Sequence, residues 1–210
     1  RVPCVLTFHD SIMFRFPRRN ASTHGLFVYA LKTAAAFFVA FMALFRAQRV
    51  SVTSEYVLEE ARRLFFVPRK KMTVIYQAPG TIPASEGENA LPVSRPYALC
   101  VGSAFPHKNM PRLLRAWSAA LPNLPDNAQL VVCGPKHVFF DQLSGDFASI
   151  PRVIFLPGVS DQMLSTLYAH AHIFIFPSLA EGFGIPPLEA MRAGVPVLSS
   201  DAPCMKEVLG

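Results

Sequence analysis

Between residues 97 and 199 the chain alternates short apolar runs with helical stretches, and this alternation constrains the fold more than any other feature. The apolar runs have no polar face, as is typical of strands covered on both sides. Alternation of such strands with helices predicts an α/β fold, a parallel sheet with helices on both faces. The predicted strands are Tyr97–Val101, Gln129–Cys133, Val153–Leu156, Ile173–Phe176 and Val195–Ser199. The predicted helices are Met110–Ala120, Asp161–His170 and Pro187–Ala193.

The first 80 residues alternate in the same way, less regularly. The predicted strands are Val2–Phe8, Val50–Thr53 and Met72–Tyr76, and the predicted helices are Leu26–Arg46 and Glu55–Phe66, with Ser54 as the N-cap of the second. Residues 79–96 contain four prolines and two glycines, so they form the predicted linker. The sequence therefore predicts a first domain over 1–78, a linker over 79–96 and a second domain over 97–210.

Basic residues are concentrated in the first domain. Residues 1–80 have 12 Lys or Arg against 4 Asp or Glu, a net +8, whereas residues 81–210 have 8 against 10, a net −2. The uncharged run Thr33–Phe45 has 13 residues, fewer than the ~20 that cross a bilayer. We expect a helix that is buried in protein or lies on an anionic membrane surface through residues 15–49, whose basic residues are Arg15, Arg18, Arg19, Arg46 and Arg49.

The alternative for this basic region is a solvated face without a partner. Nucleic acid is not an expected partner, because the basic residues are not interleaved with aromatic side chains on which bases would stack. The triplet Asn20-Ala21-Ser22 fits the N-glycosylation pattern, but no secretory signal accompanies it.

The four cysteines are far apart and form no C-x-x-C pair. They predict buried free thiols in a reducing, cytoplasmic compartment and no metal site. The chain begins Arg1-Val2-Pro3 and runs directly into an apolar strand, so we expect it to be a piece of a longer protein.

The segment whose residues are best suited to bind a ligand follows the predicted strand Ile173–Phe176. It reads P-S-L-A-E-G-F-G-I-P-P-L-E-A-M over residues 177–191. Glycines at 182 and 184 let backbone amides approach a ligand, and the Pro-Pro pair predicts a helix start whose N–H groups bind an anion. Glu181 and Glu189 are both expected to face this volume, where a carboxylate accepts hydrogen bonds from sugar hydroxyls.

This segment resembles the signature of the retaining glycosyltransferases of family 4, usually close to P-S-x-x-E-G-F-G-x-P-x-L-E-A-M-A-x-G-x-P-V. The match continues through Gly194, Pro196 and Val197, with Arg192 where a small residue is usual. The resemblance implies a GT-B fold, α/β with two Rossmann-like parallel-sheet domains. It assigns 97–210 to the nucleotide-sugar domain, incomplete at its C-terminus, and 1–78 to the end of the acceptor domain, with the N-terminal part missing.

Two further blocks resemble the same family. Residues 101–109 are similar to its V-G … [RH]-K-N segment, which implies that Lys108 binds the donor diphosphate; Ser103 and His107 occupy the positions where many members carry an arginine. Residues 7–10, T-F-H-D, are similar to its T-x-H-D segment, and by this resemblance His9 faces the donor sugar.

The resemblance implies transfer of a sugar from a UDP- or GDP-linked donor to a glycan or lipid-linked acceptor, without a metal or other cofactor. Its catalytic residues would be Glu181, His9 and Lys108, and its donor-binding residues Gly182, Phe183, Gly184, Glu189, Ser103 and His107. We expect little or no turnover from these 210 residues alone, and a cytoplasmic location that includes the inner face of the cell membrane. The alternatives are a membrane-associated binding component of the same fold without catalysis, and a nucleotide-sugar epimerase or phosphorylase.

Overall fold

The computed structural model describes residues 3–16, 25–80, 85, 87 and 91–210. Some sequence predictions fall outside these residues, namely Asn20-Ala21-Ser22, Arg18, Arg19 and much of the predicted linker 79–96.

The described chain forms two compact units. The first comprises the described part of 1–77 with Ala180–Gly184 and Asp201–Gly210. The second comprises the described part of 78–179 with Ile185–Ser200. Two short segments from the second half of the sequence therefore belong to the first unit. The sequence-based division at 79–96 assigns residues by chain order and stays a prediction.

A three-stranded parallel sheet, in the order β1-β2-β3, is the frame of the first unit. Its strands are β1 (Val5–Phe8), β2 (Arg49–Val52) and β3 (Met72–Val74). Its helices are α1 (Ile12–Arg15), α2 (Leu26–Arg46), α3 (Glu55–Phe65) and α8 (Pro203–Leu209). The core of the unit combines the inner residues of β2 with the apolar face of α3, namely Val50, Val52, Val57, Leu58 and Ala61.

Helix α2 has the predicted bounds, but the described residues bury only 6% of its most apolar window. They therefore do not show the first of its two predicted placements, burial in protein. The helix is apolar nearly all round, and only one side contacts the unit's core, through Leu44, Phe41 and Phe37. At the C-terminal end of the helix, Lys71 Nζ donates hydrogen bonds to the carbonyl oxygens of Leu44 at 2.6 Å and Phe45 at 2.7 Å. By length and composition α2 also passes as a candidate membrane-crossing helix, a test that core helices and signal sequences pass too.

The start and end of α3 follow from its flanking residues. Ser54 is its N-cap, as predicted, and its Oγ accepts a hydrogen bond from the Val57 amide at 3.1 Å. The helix ends at Phe65 because Phe66 adopts a left-handed conformation with φ of 56°.

The second unit contains a five-stranded parallel sheet in the order β6-β5-β4-β7-β8. Its strands are β4 (Tyr97–Val101), β5 (Gln129–Gly134), β6 (Val153–Pro157), β7 (Ile173–Phe176) and β8 (Val197–Ser199). Its helices are α4 (Met110–Ala120), α5 (Val138–Asp146), α6 (Asp161–His170) and α7 (Ile185–Arg192). Successive strands β4, β5 and β6 extend to one side of β4, and β7 and β8 to the other. The strand order thus reverses between β4 and β7, and ligands of open parallel sheets bind at the carboxyl ends of the strands beside such a reversal.

Four predicted boundaries differ from the structure by two residues or more, and the first of them is the end of strand β3, which lies at Val74 rather than Tyr76. Helix α7 begins at Ile185 rather than Pro187, because proline is tolerated throughout a helix's first turn. Strand β8 begins at Val197 rather than Val195, directly after Pro196, which has no N–H for a sheet ladder. Strand β1 begins at Val5 rather than Val2. Helices α1, α5 and α8 have no counterpart in the sequence prediction.

Three of the four cysteines are buried free thiols, as predicted. These are Cys100, Cys133 and Cys204, whereas Cys4 is exposed.

Candidate functional site

The nine residues singled out from the sequence fall into two sets. The first unit holds His9, Glu181, Gly182, Phe183 and Gly184. The second unit holds Ser103, His107, Lys108 and Glu189.

In the first unit, His9 and Gly182 are packed backbone against backbone. His9 follows β1, and a Cβ added to Gly182 would lie 2.3 Å from the His9 carbonyl oxygen. That distance is far below van der Waals contact, and the atom it meets belongs to the backbone and cannot move aside. Glycine at 182 is therefore required by the close approach of these two segments.

Two buried hydroxyl groups hold the same pair of segments. Thr53 Oγ1 lies 3.0 Å from the His9 carbonyl oxygen and 3.1 Å from that of Gly182. Ser54 Oγ donates to the Gly182 carbonyl oxygen at 2.9 Å. Thr53 is 2% exposed and Ser54 is fully buried. These hydrogen bonds connect the end of β2 to both predicted site segments.

Glu181 is buried, with 8% of its surface exposed. The Cys204 thiol is close enough to Glu181 to be affected by its charge. Burial, the larger cause, and the charge of Glu181, the second, raise the pKa of Cys204 to about 12. Cys204 is therefore a neutral thiol beside an acidic side chain at physiological pH. A carboxylate in such a protein environment forms stronger hydrogen bonds to hydroxyl groups than one in water does.

The two residues that follow Gly182 are a phenylalanine in an aromatic pair and a glycine in the left-handed conformation. The Phe183 ring is buried, and its centroid lies 5.8 Å from that of Tyr76. Gly184 has φ of 99°, a conformation that favours glycine and ends this loop before α7.

The imidazole of His9 has a polar neighbour in the residues after β3. Gln77 Nε2 lies 3.4 Å from His9 Nδ1. The Gln77 amide thus packs beside one ring nitrogen of His9, and this contact does not involve the other ring nitrogen, Nε2.

The N-terminus of α3 is excluded as a phosphate site because its N–H groups already have partners. The carboxylate of Glu207 accepts from the amides of Glu55 at 2.7 Å and Tyr56 at 3.1 Å. Ser54 accepts from the amide of Val57. The free positive end that binds anions at other helices is therefore occupied here.

In the second unit, the turn that carries His107 and Lys108 lies at the strand-order reversal. The turn follows β4, and two hydrogen bonds join it to the residues after β7: Asn109 Nδ2 to the Pro177 carbonyl at 3.2 Å, and the Leu179 amide to the His107 carbonyl at 2.8 Å. The Lys108 Nζ lies 5.5 Å from the centre of the Phe176 ring. His107 is buried, whereas Lys108 and Ser103 are partly exposed. The structure thus puts a cation where parallel sheets bind ligands.

Glu189 is positioned by a buried tyrosine. The Tyr168 hydroxyl donates to Glu189 Oε2 at 2.9 Å, and burial, together with the Glu189 charge, raises the pKa of Tyr168 well above its usual value. Tyr168 is 1% exposed and Glu189 is half-buried. One Glu189 oxygen is thereby fixed in place on α7.

The start of α7 offers fewer donors than most helix N-termini. The helix begins at Ile185, so Pro186 and Pro187 occupy its second and third positions. Neither has an N–H group, and anion binding by this helix depends on the remaining amides.

Sequence reasoning missed Thr53, Tyr76, Gln77, Tyr168 and Glu207 as neighbours of the predicted site residues. Thr53 could have been found, because it directly follows β2 at the edge where ligands bind. Glu207 carries no such signal, since it meets α3 from more than 150 residues away.

A cavity of about 380 Å³ lies elsewhere, at the opposite, amino-terminal edge of the second sheet. It is lined largely by apolar residues, including Tyr97, Trp117, Pro125 and Ile173, and by none of the nine predicted residues. Among the described residues, no group of three or more His, Cys, Asp or Glu side chains could hold a metal ion.

Comparison with known proteins gives a family match and several relatives. Residues 82–210 match the family model of the glycosyl transferases group 1. The O-antigen chain mannosyltransferase RfbU of Salmonella typhimurium is 34% identical over 176 residues, 80% of this chain and 46% of that protein. The O-antigen chain mannosyltransferase B of Escherichia coli is 31% identical over 218 residues, 98% of this chain and 55% of that protein. The chain thus spans about half the length of these curated relatives.

Solved structures show the same fold. A sucrose-phosphate synthase from Thermosynechococcus elongatus superposes with a TM-score of 0.71 at 20% identity, covering 97% of this chain and 51% of that one. WaaG, a glycosyltransferase involved in lipopolysaccharide biosynthesis, superposes with a TM-score of 0.66 at 21% identity, covering 98% and 58%. The predicted α/β fold of the GT-B type, with parallel sheets, is confirmed.

Proposed function

The chain belongs to the glycosyl transferases group 1 family, and we propose that its protein transfers a sugar from a nucleotide diphosphate sugar to a glycan or lipid-linked acceptor with retention of anomeric configuration. One observation carries the proposal: Lys108 stands at the strand-order reversal of the second sheet, in a turn that is hydrogen-bonded to the start of the P-S-x-x-E-G-F-G segment.

In the proposed reaction, the bond between the anomeric carbon and the diphosphate oxygen breaks, and an acceptor oxygen bonds to that carbon on the same face. The proton of the acceptor hydroxyl passes to the leaving diphosphate. Lys108 stabilises the negative charge that develops on this diphosphate. No protein nucleophile and no metal ion takes part in this scheme.

The other site residues have separate roles in binding the donor. Glu189, fixed by Tyr168, accepts hydrogen bonds from the ribose hydroxyls, and Glu181 accepts them from the hydroxyls of the transferred sugar. His9 contacts the sugar through its imidazole, and the backbone amides of Gly182 and Phe183 approach the donor. Ser103, His107 and Gly184 shape the surrounding loops.

We infer that the transferred sugar is mannose. Two relatives that are more than 30% identical to this chain and cover 80% and 98% of it are named O-antigen chain mannosyltransferases. The proposed acceptor is accordingly a growing polysaccharide chain.

A thermal-shift screen tests donor binding. A ligand at 100 times its dissociation constant stabilises the folded state by about 2.7 kcal/mol. We expect UDP- or GDP-mannose to raise the melting temperature, and Lys108→Ala, which should weaken binding at least tenfold, to reduce the rise by about half or more. Lys70→Ala, which removes an exposed cation in the first unit, is the matched control and should leave the rise intact. An epimerase would instead convert the donor without acceptor, and a phosphorylase would require free phosphate.

We also propose that α2 docks on an anionic membrane surface at the inner face of the cell membrane. At 100° per residue, Phe27, Leu31, Phe38 and Phe45 share one face, and they are 82%, 62%, 64% and 72% exposed. Two basic residues on this helix, Lys32 and Arg46, are also exposed. An exposed apolar stripe on a helix that also carries exposed basic residues has the chemistry of an interfacial helix on anionic lipid.

Co-sedimentation with liposomes tests this surface. Binding should increase with the fraction of anionic lipid, decrease with salt, and be lost in Phe38→Glu. Phe66→Glu is the control, because Phe66 is 81% exposed but lies outside α2. Equal binding by the two variants would contradict the assignment of α2 as the lipid-binding face.

A further inference from the structure

The hydrogen bonds around Gly182 involve two hydroxyl groups that each have one proton. Ser54 Oγ accepts from the Val57 amide at 3.1 Å, so its proton is available for the Gly182 carbonyl at 2.9 Å. With Gly182 thus supplied, the Thr53 proton is available for the His9 carbonyl at 3.0 Å, and the Gly182 carbonyl at 3.1 Å is its second acceptor. The two adjacent residues therefore have different roles, since Ser54 holds the Gly182 segment and Thr53 links it to the His9 segment.

The burial of this arrangement makes it rigid. Thr53 is 2% exposed and Ser54 is fully buried, so water does not replace a missing hydroxyl. A buried carbonyl oxygen without a hydrogen-bond donor costs free energy of folding, so the backbone is held where each carbonyl has its donor. Ser54 is further fixed as the N-cap of α3, whose first amides are held by Glu207.

We propose that Thr53 and Ser54 are positioning residues that fix the backbone of Glu181-Gly182 against that of His9. This inference rests on the proposed roles of Glu181 and His9 toward the transferred sugar. Neither hydroxyl touches the donor in this scheme, because their protons are directed to backbone oxygens. The effect of losing them is therefore confined to the sugar-binding segments and spares the groups that bind the nucleotide.

The variants Thr53→Val and Thr53→Ser form a matched pair. Valine has the shape of threonine without the hydroxyl, and serine restores the hydroxyl. Thr73→Val on β3, an exposed position, controls for the substitution itself. Ser54→Ala removes both the donor to Gly182 and the cap of α3, so it is expected to destabilise the unit more than Thr53→Val does.

Amide hydrogen exchange is the first measurement, and it does not depend on any activity. In Thr53→Val we expect exchange over residues 9–12 to accelerate by about tenfold, the factor that corresponds to one lost hydrogen bond, because the His9 carbonyl loses its donor. Exchange over residues 180–184 should accelerate less, since the Gly182 carbonyl keeps the Ser54 hydroxyl as its donor. Thr53→Ser should restore the wild-type rate, and Thr73→Val should not change it. Unchanged exchange over residues 9–12 in Thr53→Val would overturn the proposal.

Calorimetric titration is the second measurement, with GDP-mannose against GDP and UDP-mannose against UDP. Thr53→Val should lose most of the extra affinity that the sugar provides and keep its affinity for the nucleotide alone. An equal loss of both affinities would show a general structural role and overturn the positioning role. If the wild-type protein binds no donor better than its nucleotide, the roles proposed for Glu181 and His9 fail, while hydrogen exchange still decides whether Thr53 holds the two segments.

Discussion

Gly182 lies against the backbone of His9 so closely that a Cβ at 182 would be 2.3 Å from the His9 carbonyl oxygen. Two segments separated by more than 170 residues in sequence are thereby packed together without an intervening side chain. This contact explains why the E-G-F-G segment has glycine at its second position.

Replacing Gly182 by alanine is expected to lower the free energy of unfolding by about 1–3 kcal/mol, because the added methyl group forces backbone shifts in a packed region. Gly145→Ala is the control. A Cβ at Gly145, near the end of α5, meets no atom within 4 Å, and alanine is the better helix former there. Urea denaturation measures both variants. Equal stability of Gly182→Ala and the wild type would contradict the described contact.

The Tyr168 hydroxyl that fixes Glu189 is expected to contribute to both stability and nucleotide affinity. Tyr168→Phe should lower the free energy of unfolding by about 1–2 kcal/mol and weaken binding of UDP or GDP, since Glu189 loses its buried donor. Glu189→Gln keeps an acceptor for Tyr168 and should retain most of the stability. Denaturation and calorimetry separate the two effects, and a larger loss of stability in Glu189→Gln than in Tyr168→Phe would disprove this pairing.

The buried thiols predict selective labelling and a loss of stability in alkali. Burial raises the pKa of Cys100, Cys133 and Cys204 to about 12 each, from an ordinary value of 9.0. An alkylating reagent at pH 8 should therefore label Cys4 alone in the native protein and all four cysteines in denaturant.

The sign of the pH effect follows from the same shifts. Above about pH 9 the unfolded chain loses thiol protons that the folded protein keeps, so the free energy of unfolding decreases as pH rises toward 12. Rapid native labelling of a second cysteine, or constant stability across this range, would show that the thiols are accessible.

Much of the fold was predictable because the second sheet is apolar on both faces. The predicted bounds are confirmed for two strands, Tyr97–Val101 and Ile173–Phe176, and for two helices, Met110–Ala120 and Asp161–His170. Short, wholly apolar runs fit a buried strand, and runs with one apolar face fit an amphipathic helix. Helix α5 was missed because its N-cap is His137, which is not among the usual capping residues.

The site was predictable only as far as its residues lie in recognisable segments. Lys108, Glu181 and Glu189 each belong to a motif. The donors and acceptors around them, such as Thr53 to Gly182 and Glu207 to α3, join residues 129 or more apart in sequence. No local pattern predicts such pairs, because they depend on how β2, α3 and α8 pack.

Kinetics test the division of roles in the transfer reaction. Because little or no turnover is expected from these 210 residues alone, the assay uses the full-length protein. In it, Glu181→Ala and Lys108→Ala should each lower kcat/KM of sugar transfer by at least about 30- to 150-fold, which corresponds to about 2–3 kcal/mol of lost transition-state stabilisation. Lys70→Ala should retain wild-type kcat/KM. Near-normal transfer by either site variant would remove that residue from the mechanism.

The most direct test of the central claim is a calorimetric titration of the protein with GDP-mannose and UDP-mannose. We predict saturable one-to-one binding of one of them, weakened at least tenfold by Lys108→Ala and by Glu181→Ala. Lys108→Ala should also weaken binding of the free nucleotide, whereas Glu181→Ala should not. Absence of binding to both donors, or equal affinity in wild type and both variants, would contradict the assignment of these residues to a nucleotide-mannose site.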